Sequence, residues 1–347
     1  MKVLILAGGL GTRLHPLTWG RPKSIVPLAN RPFLERMVVW LRRHGLTDVI
    51  LALNHLPEMI ESQFGNGRSL GVSLRYLLEE PPLGSGGAMR NAQHLLGEDT
   101  FLVLNGDIFT DLNLREMIEF HRLRKAKMTI SLAQVEDPSG YGVVEMDAVG
   151  RLRRFVEKPP PGEAPSNYIN AGAWLFQAEM LEKMPAGGQP FSVERDFWPA
   201  CLREGVAFFG YPGECYWMDI GTVSRYLQAH HDLLAGRISA HIEEPETSPG
   251  VWIGEGTRIH AEARLRPPVI IGRKAEIAAG AEISDSVVGP GSRIGAGAVV
   301  RGSVLWEEVE VGSDAQIVRS VIGARQSIAP DSVLEETALE DRGACAP

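Results

Sequence analysis

The sequence predicts an α/β domain with a mostly parallel sheet, followed by a parallel β-helix, and three observations carry that reading. From Met1 to about Leu234 short aliphatic runs alternate with segments of helical periodicity. Around Gly236 to Gly250 the periodicity stops, and the run Glu243-Glu244-Pro245-Glu246-Thr247-Ser248-Pro249-Gly250 reads as an exposed linker. Beyond it aliphatic residues recur every six positions, the grammar of a solenoid and not the period of two expected of a β-sandwich. The expected divisions are a first domain over 1–235, a linker over 236–250, a β-helix over 251–334 and a loose tail over 335–347.

Taken in order, Val3–Ala7, Val49–Leu53 and Phe101–Asn105 read as buried strands. Between the first two, Phe33, Met37, Leu41 and His44 share a helical face while Arg36, Arg42 and Arg43 lie elsewhere, which makes a βαβ unit. Leu114, Met117, Ile118 and His121 repeat the helical spacing, and Met128–Leu132 follows as a further strand. Parallel connections of this kind are right-handed. Their ligands bind beyond the carboxyl ends of the strands, which singles out the segments after Ala7 and Asn105. In the repeat region the series runs Ile253, Ile259, Leu265, Ile271, Ile277 and Ile283, then slips by one residue to Val288, Ile294 and Val300. It continues through Leu305, Val311 and Ile317 to Ile322, Ile328 and Leu334, often with Gly or Ala next in line, as at Gly254, Gly272, Gly289 and Gly323. Three hexads to a coil give five coils.

The 347 residues are 44% hydrophobic and 22% charged, values of a globular chain and not of a disordered one. With 35 Lys+Arg against 43 Asp+Glu and no basic run, the net charge of −8 argues against nonspecific binding to nucleic acid or anionic lipid while allowing a local basic pocket for a small phosphate. The apolar run at Val3 is cut off by Gly8-Gly9, too early for a signal-peptide core, and no stretch approaches the roughly 20 apolar residues of a membrane span. A cytoplasmic protein is expected. Cys201, Cys215 and Cys345 are too scattered for a disulfide framework or a Cys-x-x-Cys metal site and are expected to be reduced structural thiols.

Directly after the first strand comes Gly8-Gly9-Leu10-Gly11-Thr12-Arg13-Leu14-His15-Pro16-Leu17-Thr18, with Pro22-Lys23 a few residues on. Glycines let backbone N–H groups turn toward an anion, and Arg13 and Lys23 bring positive charge for phosphate oxygens. No Gly-Lys-Ser/Thr closes the loop, so it is not a Walker A loop, and Leu14 stands where a dinucleotide fingerprint needs its third glycine. Adjacent His230 and His231 point about 100° apart on a helix and are poor shared metal ligands. Ser24 and Ser85 lack a neighbouring His with an orienting carboxylate, which argues against a serine nucleophile.

The string Gly-Gly-x-Gly-Thr-Arg-Leu-x-Pro-Leu-Thr…Pro-Lys resembles the signature of the sugar-phosphate nucleotidylyltransferases. Later landmarks of that family appear in order: Pro82-Leu83-Gly84-Ser85-Gly86-Gly87-Ala88, Asn105-Gly106-Asp107, Tyr141-Gly142-Val143, Phe155-Val156-Glu157-Lys158-Pro159, Ile169-Asn170-Ala171-Gly172 and Trp217-Met218-Asp219-Ile220-Gly221-Thr222. The last three, with a hexapeptide domain behind them, are most similar to the mannose-1-phosphate guanylyltransferases. The repeat region resembles the left-handed β-helix of hexapeptide-repeat proteins. Together these resemblances imply a Rossmann-like sheet domain followed by a left-handed parallel β-helix.

The reaction so implied brings two polyanions together: a sugar 1-phosphate oxygen attacks the α-phosphorus of a nucleoside triphosphate and pyrophosphate leaves, which calls for cations and a metal. Asp107 follows a buried strand, where its carboxylate suits Mg²⁺ or caps a turn, and Asp219 reads locally as a helix N-cap. The resemblance makes both ligands of Mg²⁺. It also implies that Arg13 binds the β- and γ-phosphates and Lys23 the α-phosphate. Lys158 would grip the sugar phosphate, with Glu157, Asn170 and the Gly142 backbone on sugar hydroxyls. Leu6, Ala7, Gly8, Gly9, Gly11 and Thr12, with Glu79 or Glu80 and Gly84, would line the nucleotide site. A carboxylate there accepts from guanine N1–H and its 2-amino group, which favours GTP.

Three other readings share these features. A uridylyl- or thymidylyltransferase for glucose 1-phosphate would differ only in base and sugar contacts. A catalytically silent nucleotide-sugar sensor should lack the catalytic cations or carboxylates, yet Arg13, Lys23, Asp107 and Asp219 are all present. An acyltransferase on the β-helix has only His260 to work with there, and five coils are few for a CoA groove. The flat faces and open ends of the β-helix lead to an expectation of homo-oligomers.

Overall fold

The computed structural model describes residues 1–186 and 188–341. It divides into two compact units that do not follow chain order: Met1–Gly9 with Met37–Trp217, and Leu10–Arg36 with Met218 onward.

The first unit is a mixed sheet with helices between its strands. Its strands are β1 (Lys2–Leu6), β2 (Asp48–Leu53), β3 (Ser73–Leu78), β4 (Phe101–Asn105), β5 (Met128–Gln134), β6 (Gly142–Met146), β7 (Leu152–Glu157), β8 (Tyr168–Phe176) and β9 (Phe208–Tyr211). They lie in the order β7-β6-β8-β4-β1-β2-β3, with β5 pairing β8 and β9. The run β4-β1-β2-β3 is parallel throughout, as the βαβ pattern requires. The long strand β8 is antiparallel to β4, β5 and β6, so one half of the sheet departs from the parallel pattern. Val3, Leu4, Ile5, Val49, Ile50 and Leu51 are all fully enclosed, which is what continuous aliphatic runs buried on both faces produce. Trp174 and Trp198 meet edge to face at 5.1 Å in the adjoining core. Cys201 is buried there, and burial pushes its thiol up to about 11, as expected of an inert packing residue.

The second unit carries the repeat. Three columns of aliphatic residues stack inward: Ile253, Ile271, Val288, Leu305 and Ile322; Ile259, Ile277, Ile294, Val311 and Ile328; Leu265, Ile283, Val300, Ile317 and Leu334. Every pairing between coils is parallel, and the column forms one continuous core. The slip seen in the sequence recurs in every later coil. The first coil carries an extra residue at Pro267-Pro268, where the register jumps between Arg266 and Val269. Proline cannot donate to a ladder, so the pair sits in a bulge. A buried ladder of Ser286, Ser303 and Ser320 runs beside it, each hydroxyl accepting from the backbone N–H one coil on, at 3.0 and 3.1 Å between the serines and 3.0 Å to Thr337 N.

The expected loose tail is ordered over its first part. Ala338–Leu339 pairs in parallel with Val321–Ile322, and Asp341 is 7% exposed, because two residues suffice to add a rung to a stack. The remainder of the tail, with Cys345, lies outside the described residues. The stretch read as a linker is largely exposed over 241–250, although Glu243 pairs with Arg31 at 2.5 Å and Glu244 with Asn30 at 2.9 Å. Helix α1 (Val223–Leu234) begins at Thr222, whose hydroxyl caps Arg225 N at 3.3 Å. His230 packs inside this unit, with Nδ1 on Tyr226 O at 2.9 Å and Nε2 accepting from Ala29 N at 3.2 Å.

Candidate active site

The strand ends of the first unit carry part of the set expected to meet the nucleotide, namely Leu6, Ala7, Gly8, Gly9, Glu79, Glu80 and Gly84, while Gly11, Thr12, Arg13 and Lys23 belong to the second. Ala7 N donates to Ala52 O at 2.9 Å, Glu79 N to Leu53 O at 2.9 Å and Gly106 N to Leu6 O at 2.9 Å, so the exits of β1, β2, β3 and β4 are laced side by side. A Cβ on Gly106 would lie 2.8 Å from Leu6 O, and one on Gly8 would lie 3.3 Å from Asn54. Asn54, which the sequence did not single out, donates to Glu79 O at 2.5 Å and so joins the end of β2 to the residue after β3. Asp107 occupies the turn that follows β4 and is partly exposed.

Of the adjacent acids, Glu79 is 6% exposed while Glu80 is exposed. Glu79 Oε2 accepts from Leu83 N at 3.2 Å, whereas Oε1 is enclosed with no hydrogen-bond partner among the described residues. Burial raises the carboxyl's pKa, and the Leu83 N–H opposes that only in part. Gly84 (φ +71°) follows, its space closed by Phe191 O at 2.9 Å from a would-be Cβ. Ser85 is structural, its hydroxyl bonding Glu194 at 2.6 Å and accepting from Val193 N at 3.0 Å.

On the other half of the sheet Gly142 stands opposite Glu157 across β6 and β7. A Cβ at Gly142 would come within 2.9 Å of Glu157 Oε2, so only glycine brings the backbone this close to the carboxylate. Burial raises the pKa of Glu157, aided by the charge of Glu194 and opposed by Lys158 and Arg195. Lys158 N bonds Tyr141 O at 2.9 Å, while its side chain is 60% exposed with Nζ 4.0 Å from Glu157. Asn170 Oδ1 accepts from Gly172 N at 3.0 Å and Trp174 Nε1 at 2.8 Å, which leaves the amide NH₂ as its end for a ligand.

The second unit holds the cationic loop. Gly11 (φ +65°) receives Thr18 Oγ1 on its carbonyl at 2.9 Å, and Lys23 Cβ lies 3.0 Å from where its own Cβ would be. The loop thus folds back until Arg13 Nη2 and Lys23 Nζ each stand 3.9 Å from the Asp219 carboxylate. Arg225 joins them at 3.4 Å, a third cation that no local pattern announced because it reaches back from the first turn of α1. Arg13 is 64% exposed and Lys23 only 12%, so one is a reaching arm and the other a fixed charge. Three like charges repel one another, and the Asp219 carboxylate offsets that repulsion by standing within 4 Å of each.

A glycine loop after the first strand, basic groups focused on a carboxylate and strand-end acids are the parts of an enzyme that moves phosphoryl-linked groups. Comparison with known proteins specifies the class. The family model described as "Nucleotidyl transferase" matches residues 2–236, and the one described as "EIF2B subunit epsilon LbH domain", a left-handed β-helix, matches 248–343. The chain belongs to the nucleotidyl transferase family and is a sugar-1-phosphate nucleotidylyltransferase in its relationships. It is 34% identical over 294 residues to the mannose-1-phosphate guanylyltransferase of Mycobacterium tuberculosis, covering 83% of this chain and 79% of that protein. It is 35% identical over 306 residues to the UTP–glucose-1-phosphate uridylyltransferase of Synechocystis, covering 84% and 79%. Among solved structures, HddC from Yersinia pseudotuberculosis complexed with GMP-PN superimposes with a TM-score of 0.58 at 30% identity, covering 67% of this chain and 99% of that one.

Proposed function

We propose that this protein converts GTP and mannose 1-phosphate to GDP-mannose and pyrophosphate. A phosphate oxygen of the sugar attacks the α-phosphorus, that O–P bond forms, and the bond from the α-phosphorus to the bridging oxygen breaks with its electron pair leaving on pyrophosphate. Lys23 stabilises charge at the α-phosphate and Arg13 the departing pyrophosphate, both as cations and not as proton donors. Lys158 holds the sugar phosphate, and Glu157, Asn170 and the Gly142 backbone hold hydroxyls.

The carboxylates of Asp107 and of Asp219 are the groups that would hold Mg²⁺, which would neutralise the triphosphate. Among the described residues no three or more His, Cys, Asp or Glu come together as a metal cage. One or two hard carboxylates are the donors that suit Mg²⁺, an ion that completes its shell with substrate phosphates and water.

The observation that carries the choice of GTP is Glu79, a buried carboxylate with one oxygen unmet among the described residues. An unmet buried acceptor is costly, and guanine offers N1–H and N2–H where uracil and thymine offer a single N3–H beside two carbonyls. The 35% identity to a glucose-1-phosphate uridylyltransferase supports uridylyl transfer as the second reading. Glu79→Gln separates them. GTP use should fall by roughly tenfold or more in kcat/KM as one acceptor is lost, with UTP use unchanged. A variant with the wild-type preference between GTP and UTP would remove Glu79 from base selection.

A further inference from the structure

Within the cationic loop, Arg21 makes bonds that the chemistry above does not use. Its Nε donates to Asp341 Oδ2 at 2.6 Å, its Nη2 pairs with Glu307, and its guanidinium lies 4.9 Å from the centre of the Trp306 ring. Arg21 is 14% exposed at its side chain and Asp341 0%. Burial lowers the guanidinium's pKa, but the two carboxylates outweigh it and the net shift is upward. The charge is therefore kept, and it is kept by residues 286 and 320 positions away in the chain.

Trp306 breaks the pattern of the coils to make this contact. Residues following the aliphatic column are Gly254, Gly272, Gly289 and Gly323, and Trp306 stands in that column between Gly289 and Gly323. A Cβ on Gly289 would meet the Trp306 backbone at 2.2 Å, so the backbones of adjacent coils are in close contact there. Its Nε1 donates to Tyr226 OH at 3.0 Å, and Tyr226 OH in turn donates to Pro27 O. The loop is thus held at Arg21 and again at Pro27. Between these points lie Pro22, with φ fixed at −54°, and the single helical turn Lys23–Ile25.

We propose that Arg21 is a positioning residue for nucleotidyl transfer, fastening the loop of Arg13 and Lys23 to the fourth coil at Glu307 and to the rung beyond the fifth at Asp341, so that the β-helix sets where these cations stand. The proposal rests on the reading of Arg13 and Lys23 given above. It assigns the β-helix a part in the reaction: Asp341, Glu307 and Trp306 form the anchor, and the short Arg21-Pro22-Lys23 link transmits it.

The test uses the full chain with Asp341→Asn, which keeps the shape and one acceptor, alongside Arg21→Lys, Arg21→Ala and the Arg21→Ala/Asp341→Asn pair. Pyrophosphate release gives kcat and KM, and hydrogen exchange follows the amides of residues 11–25 and of the coils separately. Asp341→Asn should lower kcat by about tenfold with KM for the triphosphate within about twofold, the pattern of a lost transition-state contact. Exchange should quicken over 11–25 and stay unchanged in the coils. Arg21→Lys should recover part of the rate lost in Arg21→Ala, and the double variant should be no worse than Arg21→Ala, since both act on one contact. Unchanged kcat, additive losses, or quicker exchange throughout the coils would overturn the proposal. Should wild type turn over no substrate pair, the proposed function fails while the exchange result still decides the anchor: selective quickening supports it, none refutes it.

Discussion

Lys23 Nζ stands 3.9 Å from Asp219 Oδ1, and the two side chains are only 12% and 11% exposed. A cation held this way is oriented before any substrate arrives. Lys23→Ala is therefore expected to lower kcat by roughly 10²–10³-fold, the scale of losing one preorganised charge-stabilising donor, with a smaller change in KM for the triphosphate. Steady-state pyrophosphate release checks this, and an unaltered kcat would take Lys23 out of the mechanism.

Gly221 lies against that arrangement. A Cβ there would lie 2.6 Å from Asp219 Oδ1 and 2.8 Å from Arg13 Nη2. Both are ends of side chains, so Gly221→Ala should fold normally while pushing Arg13 and Asp219 apart. Activity should drop by roughly 10- to 100-fold, as expected of a misplacement near 1 Å. Thermal unfolding together with the rate assay distinguishes this from instability: an unshifted midpoint and a reduced rate are expected.

Base recognition should depend on pH through Glu79. In the proposed contact the carboxyl would offer both oxygens as acceptors to guanine only when ionised, and burial raises its pKa, so protonation begins at a higher pH than for an exposed glutamate. As pH falls, GTP use should decline before UTP use does. Glu79→Gln should abolish that difference, which paired kcat/KM profiles for the two nucleotides would reveal.

Stability should also fall in mild acid. His121, 1% exposed and bonded to Thr129 at 2.8 Å, has its pKa lowered to about 4, chiefly by burial, and His230 to about 3 for the same reason. Both bind protons more readily when unfolded, so their contribution is fully present above about pH 6.5 and is lost as pH drops through 4 and 3. Thermal midpoints should decrease steadily below pH 6.5. His121→Gln, which cannot titrate, should flatten part of that slope.

The repeat was legible because its information is local: an aliphatic residue every six positions needs no distant partner to be recognised. The glycine loop was legible for the same reason. The anchor at Arg21 was not, since an arginine before Pro-Lys becomes meaningful only when the fold brings Glu307 and Asp341 to it. Asn54 and Arg225 escaped likewise, their roles depending on Glu79 and on the first turn of a helix. Glu79 and Glu80 were indistinguishable in sequence. Burial, which alternates along a strand end, separates them. The inclusion of residues 10–36 with the C-terminal unit has no sequence signal at all, because hydrophobic periodicity records what each segment buries and not against which segment.

The most direct measurement is pyrophosphate release with Mg²⁺ over a grid of GTP, UTP, dTTP, ATP and CTP against mannose, glucose and N-acetylglucosamine 1-phosphates. The greatest kcat/KM is expected for GTP with mannose 1-phosphate, with GDP-mannose as the product. Preferred turnover of UTP or dTTP with glucose 1-phosphate, or no turnover by folded protein in any combination, would contradict the proposed function.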